Sequence, residues 1–389
     1  MKKLLFALLC LMLLSVPAFA EDAQDITARC QITASNSSKD LPNITDGKYT
    51  TQWKSSRRGY LEITAPENEK IHGLYVSFGH FITNWCIEAQ DEAGNWVSVY
   101  ETTDQFYNQY IPLTAGYDCI RFKCLTPDND HALYVTELHV LGEGDVPSWV
   151  QQWKNFESKA DLVLMVTDPG DEYLFFGGLI PHYVAQGKEV MLCVIVNTAA
   201  QYKSELLDGL WHCGMTNYPY IAYFRPNMQR TAKAQYETWS EVQFVRHVSR
   251  IVRIYEPNVL VTHSAGGEGI DGGHRVCADA AVRSVRLAMD DKYDQGYGYK
   301  IYGNYQLPKL YLHDPTEGEV TLDFNQPLDF YGGKTAFEIA NEAYAMQSFQ
   351  RKLAKELRTD GVFNGAAYTL RFTDVGKDTH MNDLFENIQ

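Results

Sequence analysis

Three features are missing from this sequence, and each absence excludes a class of protein. No C-x-x-C pair occurs, which argues against a structural zinc knuckle. No basic cluster is longer than the short run at 54–58, and the formal net charge is −15, so nucleic acid is a poor candidate partner. After residue 20, no apolar stretch has the length that a bilayer requires, so we expect no membrane span.

The first twenty residues have the pattern of a cleavable signal peptide. A positive start at 1–3 precedes an apolar run over 4–14, and the small-x-small sequence AFA ends at Ala20. These are the three parts of a secretory leader. We therefore expect residues 1–20 to be removed and the mature protein to be secreted or periplasmic.

Cleavage also removes Cys10 and leaves seven cysteines, an odd number that cannot all pair within one chain. Cys119 and Cys124 lie on opposite faces of one predicted strand, roughly 16 Å apart, so they cannot bond to each other. Cys193 lies in an apolar run and is expected to be a buried thiol.

The chain divides near 142–147, where Gly and Pro interrupt the pattern. Residues 21–145 show short alternating segments separated by polar turns, such as 60–64, 72–78 and 133–141. This spacing predicts an all-β sandwich.

Residues 45–53 of this region read TDGKYTTQW, and residues 136–142 read TELHVLG. The region resembles the discoidin, or coagulation-factor type C, module, a galactose-binding-like jelly roll. The resemblance implies glycan binding and a possible calcium ion near Asp46 and Glu137, because oxygen-rich loops suit this hard cation. Alternatively, the two acids brace turns and Trp53 is a core ring.

Residues 146–389 alternate helical patterns with strands that are apolar on both faces, at 162–166, 190–196 and 259–262. This pattern predicts a three-layer α/β domain with a mainly parallel sheet. Helical spacing over 242–255 ends before Pro257. Polar residues follow two of the strands, so we expect them to meet at the carboxyl edge of the sheet.

Five stretches of this second region resemble the PIG-L (LmbE-like) N-deacetylases. Residues 167–172 read TDPGDE where the family has A-H-P-D-D-E, and residues 267–275 read GEGIDGGHR where it has G-E-Y-G-H-x-x-H-R. Three later stretches follow in the family's order, at 307–311, 332–350 and 375–386.

The resemblance implies a divalent metal held by Asp171, His274 and Asp168, the last in place of the family's first histidine. Gly170 stands where the family has its general base. Asp271 replaces the earlier histidine of the second motif, and Gln347 replaces a histidine of the late helix, where we expect it to contact substrate.

Zinc is the metal that the family implies, although two carboxylates and one imidazole also suit Mn²⁺ or Mg²⁺. Amide hydrolysis needs an acceptor for the proton of the attacking water, and Gly170 cannot supply one. Asp271 is the expected catalytic base. Glu172 is an alternative, although it also suits a helix start, where the helix dipole favours an acid.

Two functions therefore remain open. The first is a secreted metal-dependent amide hydrolase that removes N-acetyl groups from an amino-sugar-containing glycan, with the sandwich holding that glycan. The second is a catalytically degenerate carbohydrate-binding protein, in which the changes at 168, 170, 271 and 347 record the loss of chemistry.

Overall fold

The computed structural model describes residues 21–80, 85–125, 132–157, 159–269, 271–294 and 302–388. The predicted signal peptide lies outside these residues. The chain folds into two compact units. Among the residues that the structure describes, those within 1–77, 82–103 and 109–150 form the first unit, and those within 78–81, 104–108 and 151–389 form the second.

The first unit is an all-β sandwich of two sheets. One sheet has five strands in the order β1-β3-β8-β5-β6, and the other has four in the order β2-β9-β4-β7. The strand bounds are β1 Gln31–Ala34, β2 Trp53–Lys54, β3 Tyr60–Thr64, β4 Ile71–Phe78, β5 Trp85–Gln90, β6 Trp96–Glu101, β7 Asn108–Tyr117, β8 Cys119–Cys124 and β9 Tyr134–Leu141.

Alternating burial explains the sandwich. In β8, Ile120, Phe122 and Cys124 are buried while the residues between them are half-exposed, because successive side chains of a strand point to opposite faces. Trp53 is fully buried and its indole Nε1 donates a 3.0 Å hydrogen bond to the Asn36 carbonyl. Trp53 is therefore a core ring.

The second unit contains one seven-stranded mixed sheet in the order β12-β11-β10-β13-β14-β16-β15. The first five strands of that order are parallel, and β16 runs antiparallel to both β14 and β15. The strand bounds are β10 Leu162–Val166, β11 Val190–Val196, β12 Tyr220–Phe224, β13 Val259–Thr262, β14 Lys309–His313, β15 Val320–Thr321 and β16 Ala367–Thr373.

Seven helices accompany this sheet within the described residues. Their bounds are α1 Asp171–Leu174, α2 Leu179–Val184, α3 Ala200–His212, α4 Ala232–Trp239, α5 Glu241–Tyr255, α6 Gly272–Leu287 and α7 Ala336–Ala345. None of them is both long and apolar enough to cross a membrane.

The helices cover both faces of the sheet, which gives the predicted three layers. On β10, Leu162 and Leu164 pack into one core with side chains of α1, α2, α3 and α7. Val163 and Met165 point the other way, into a second core with side chains of α4, α5 and α6. Strands buried on both faces read as continuous apolar runs. The predicted mainly parallel sheet is thus confirmed, with an antiparallel β15–β16 extension.

The seven cysteines that follow residue 20 are all free thiols, and Cys193 is buried as predicted.

Candidate metal centre and its pocket

Two acidic residues that follow the carboxyl end of β10, Asp168 and Asp171, are buried in the protein interior. Asp171 is the first residue of α1 and is fully buried. Its Oδ2 accepts a 2.9 Å hydrogen bond from the Asp168 backbone amide, and its Oδ1 accepts one of 2.6 Å from Gln350 Nε2. Each carboxylate oxygen has two lone pairs, so Asp171 retains acceptor capacity toward the neighbouring histidines.

The first turn of α6 positions His274. Asp271 is the N-cap of this helix, and its Oδ1 accepts from the backbone amides of Gly273 (2.6 Å) and His274 (3.4 Å). This is the usual role of an aspartate at a helix start. The cap holds His274 Nε2 at 3.4 Å from Asp171 Oδ2 and at 3.5 Å from Asp271 Oδ2.

His274 Nε2 has no hydrogen-bond partner among the described residues, although His274 is only 3% exposed. Buried polar atoms are normally satisfied, so this nitrogen is a candidate ligand atom for an ion. Two atoms that each lie about 2.0–2.2 Å from one tetrahedral ion are separated by about 3.3–3.6 Å. The distances from Nε2 to the two carboxylates therefore fit a metal ion between them.

His263 completes a group of three with Asp171 and His274, whose ligand atoms all lie within 4.8 Å of one another. Its Nε2 is 3.6 Å from Asp171 Oδ2 but also accepts a 3.1 Å hydrogen bond from the Thr167 amide. One ring nitrogen has one lone pair, so His263 either keeps that hydrogen bond or binds an ion. Its ring stacks on that of His274 at 3.8 Å between centroids.

Asp168 was predicted as the third ligand. Its side chain is buried, and burial together with the charge of Asp171 raises its pKa well above the usual range. The convergent group of three contains His263 instead of Asp168, and the assignment of Asp168 stays a prediction.

Glu268 braces the imidazole rings around this centre. Its Oε2 lies 2.8 Å from His263 Nδ1, and its Oε1 lies 2.6 Å from His313 Nδ1. His274 Nδ1 is also 2.8 Å from Oε2, but without the alignment of a hydrogen bond. Burial opposes ionisation of Glu268, but the charges of His263 and His274 and the hydrogen bond with His263 outweigh it and lower its pKa well below the usual range.

The sequence places His263 at the same sheet edge as Asp168 and Asp171, but it predicts no ligand role for His263, Glu268 or His313. A signal was present, because His263 directly follows β13 and His313 ends β14. Adjacent parallel strands end at the same edge of a sheet. The position of His313 at the end of β14 therefore indicates the same edge.

His274 has a raised pKa in this setting. Burial opposes the charged ring, but the charge of Asp171 and the carboxylate of Glu268 outweigh it. A proton and a divalent cation compete for the same nitrogen, so the occupancy of an ion at this nitrogen would depend on pH.

Glu172 and Gln347 lie under the turn at Gly170. Glu172 Oε2 accepts from the Gly170 amide (2.7 Å) and Oε1 accepts from Gln347 Nε2 (2.6 Å). Both residues are buried, and burial raises the pKa of Glu172 to about 7 despite these bonds. The hydrogen bonds favour a structural role for Glu172. The predicted substrate contact of Gln347 stays a prediction, since it is Gln350 that lines the adjacent pocket.

In the first unit, Asp46 and Glu137 also come together. The Lys48 amide donates to Glu137 Oε1 (2.7 Å) and to Asp46 Oδ1 (3.0 Å), and Thr51 Oγ1 donates to Asp46. Both acids therefore stabilise the turn that follows Thr45 through these hydrogen bonds. This is the structural role that the sequence offered as the alternative to a calcium site. A calcium ion at this position stays a prediction.

Comparisons with known proteins give partial matches. No protein-family profile matches the chain, and no curated protein matches it. Among solved structures, it is similar to CpGH89CBM32-6 produced by Clostridium perfringens, with 15% identity over 31% of this chain and 100% of that chain and a TM-score of 0.26. The family 32 CBM of C. perfringens NanJ, solved in complex with galactose, gives 15% identity, 31% and 98% coverage and a TM-score of 0.26.

A further solved structure is the conserved protein TT1542 from Thermus thermophilus. Its match has 14% identity, covers 56% of this chain and 97% of that chain, and has a TM-score of 0.41. All three matches have TM-scores below 0.5, and the discoidin-like interpretation of residues 21–145 stays a prediction. The PIG-L resemblance of the second region gains no support from these matches.

Proposed function

We propose that the second unit is a metal-dependent hydrolase of an amide bond. The observation that carries the proposal is His274 Nε2, a buried nitrogen without a hydrogen-bond partner among the described residues that faces two carboxylates at 3.4 and 3.5 Å. The adjoining pocket, which Asp271, His274 and Gln350 line, gives a substrate access to this nitrogen.

Asp171 and His274 would hold the ion, with His263 or Asp168 as the further ligand. A bound divalent ion polarises a carbonyl group and makes bound water acidic near neutral pH. Zinc suits the imidazole in this set, and Mn²⁺ or Mg²⁺ would suit the carboxylates.

Asp271 is the residue placed to accept a proton. Its Oδ1 is held by the amide of Gly273, which fixes the carboxylate, while its Oδ2 faces His274. Asp271 lines the pocket, whereas Glu172 is fully buried and hydrogen-bonded on both oxygens. A base must reach the water that it activates, so the geometry favours Asp271 over Glu172.

Glu268 acts through the histidines as a positioning residue. Carboxylates that bond the second nitrogen of a ligand histidine fix its orientation and raise its basicity. Glu268 contacts the rings of His263 and His274, which lie beside Asp171, so it would fix the orientation of the histidines at this centre.

The test is amine release from N-acylated glucosamines by the zinc- or manganese-loaded full-length protein. We expect turnover by the wild type, a loss of at least a hundredfold or so in Asp271→Asn, and none measurable in His274→Ala. His212→Ala is the matched control, since His212 pairs with Glu342 on the surface at 2.9 Å. Turnover that survives in His274→Ala would refute the proposal.

One observation favours a binding protein without catalysis. Gly170 has φ +97, and a Cβ at this position would lie 2.7 Å from the Gln350 side chain. The Gln350 side chain thus occupies the space in which the PIG-L family has its general base. If metal binds but no N-acyl substrate is hydrolysed, this second function stands.

For the first unit, we propose glycan binding. A cavity of about 770 Å³ is lined by Asp25, Glu137 and His139 among others. Trp149 is 44% exposed and contacts the His139 ring edge-on at 4.9 Å. An exposed indole beside polar groups suits a sugar ring.

Retention of the full-length protein on a glycan array tests this role. Trp149→Ala should weaken binding, while Val97→Ala, which removes another exposed apolar side chain of the same unit, should leave it unchanged. Equal retention of both variants and the wild type would contradict the assignment.

A further inference from the structure

The pocket beside the candidate metal centre has a polar floor. Glu268, Asp271, His274 and Gln350 line one part of a cavity of about 440 Å³. This volume falls within the range of roughly 300–1,000 Å³ that is usual for sites of drug-sized ligands. The cavity is therefore larger than an acetyl group requires.

The exposed part of the pocket lining is mainly apolar, with the exposed side chain of Arg230 and the half-buried Gln229 beside it. Met228, Leu353 and Val362 line the pocket and are 60%, 64% and 38% exposed. Large apolar side chains are commonly exposed one at a time, but a contiguous apolar surface marks an interaction site. Here three exposed apolar side chains line the same pocket as the polar residues of its floor.

Two aromatic side chains, Phe175 and Phe363, form a wall of the pocket. Other side chains already contact part of their ring faces. Phe175 contacts the His274 ring edge-on at 5.2 Å and stacks on Phe363 at 5.8 Å with an angle of 8°. The Arg358 guanidinium lies over the Phe363 ring at 4.8 Å. Because these contacts cover ring faces, the wall is a poor platform for stacking a sugar and a better surface for an aliphatic chain.

We propose that the substrate is an N-acylated amine whose acyl group is an aliphatic chain longer than acetyl. This inference rests on the proposed hydrolase function. The chain lies along Phe175, Leu353 and Val362, and the amide carbonyl reaches His274. In the reaction, water adds to the acyl carbon and the C–N bond breaks. The products are a carboxylate and an amine that has taken up a proton.

Binding experiments test the inference without turnover. By calorimetry on the zinc-loaded full-length Asp271→Asn protein, which lacks the proposed base and is the background for the variants below, N-octanoylglucosamine should bind at least tenfold or so more tightly than N-acetylglucosamine, because each buried methylene favours binding about fourfold. Leu353→Ser should reduce this preference severalfold. Val242→Ser, which changes a similarly exposed valine outside the pocket, should preserve it.

Equal affinity for the two ligands would overturn the inference, and so would an unchanged preference in Leu353→Ser. Tighter binding of N-acetyl-octylamine than of N-octanoylglucosamine would also overturn it, by placing the apolar part on the amine side. Failure of the proposed function gives a different result, namely a retained octanoyl preference with no amine release from any substrate. Amine release from N-acetylglucosamine without any preference for longer acyl chains would support the proposed hydrolase function and contradict only the inference about the acyl chain.

Discussion

Each unit of this protein gathers acidic side chains into a cluster, and the two clusters differ in what satisfies them. In the first unit, the Lys48 amide donates to both Asp46 and Glu137, so the acids tie a turn to β9. In the second, Asp171 and Asp271 face His274 Nε2, which has no hydrogen-bond partner among the described residues. An acidic cluster alone is therefore a weak sign of a metal site, and an unsatisfied buried ligand atom beside it is a stronger one.

The largest expected effect separates the two clusters by metal content. Purified wild type loaded with zinc and then desalted should carry about one ion per chain, and His274→Ala should retain a tenth or less. Glu137→Gln should retain the wild-type amount, because its carboxylate serves the turn. Plasma mass spectrometry measures all three. A loss of zinc in Glu137→Gln that equals the loss in His274→Ala would abolish the distinction.

The second-largest expected effect is the loss of zinc affinity when Glu268, which contacts the histidine rings, is changed. Glu268→Gln keeps the shape of the side chain but removes the charge that faces three histidines. Zinc affinity should fall by about 10- to 100-fold, as measured by competition with a chromophoric chelator. Glu342→Gln is the control, since Glu342 pairs with His212 on the surface. Unchanged affinity in Glu268→Gln would show that the rings are held by packing alone.

A smaller effect concerns the turn at Gly170. Gly170→Asp should destabilise the protein by roughly 1–3 kcal/mol, because φ +97 strains an L residue and the new side chain meets Gln350. Gly187→Asp is the matched control, with φ +74 and open space around its Cβ. Urea denaturation of the two variants and of Gly170→Asp/Gln350→Ala separates the free-energy cost of backbone strain from that of steric overlap with Gln350. The double variant should regain the part of the unfolding free energy that Gly170→Asp loses through steric overlap.

The smallest effect is a pH dependence in the first unit. Burial opposes ionisation of Asp25, but hydrogen bonds from His139 and Thr27 outweigh it and lower its pKa to about 2. A lowered carboxyl pKa stabilises the folded state above the unfolded value near 3.8, and this stabilisation is lost as the pH falls toward 2. Asp25 is more than a third exposed, so solvent screening limits it to about 1 kcal/mol. Asp25→Asn should flatten the curve of unfolding free energy between pH 4 and pH 2 by about that amount.

Much of the fold could be predicted from the sequence. Strands β3, β10, β11 and β13 have the predicted bounds, and α5 ends before Pro257 as expected. These elements follow from local periodicity and from turn residues, which a single sequence displays. The late helix was predicted too long: α7 ends at Ala345, and Gln347 and Gln350 lie beyond it.

The site could be predicted only in part. Asp171 and His274 were placed at one sheet edge because each follows a strand in a recognisable motif. The partnership of Glu268 with His313 spans 45 residues, and no local pattern reveals such a contact. Nor could the sequence show that Asp271 caps α6 through Oδ1, since that role depends on where the helix begins.

The most direct measurement is anomalous scattering at the zinc absorption edge from crystals of the zinc-loaded protein. The account predicts a peak within about 2.0–2.3 Å of both His274 Nε2 and Asp171 Oδ2, at the head of the pocket that Asp271 lines. A peak between Asp46 and Glu137 instead, or no peak at His274, would contradict it.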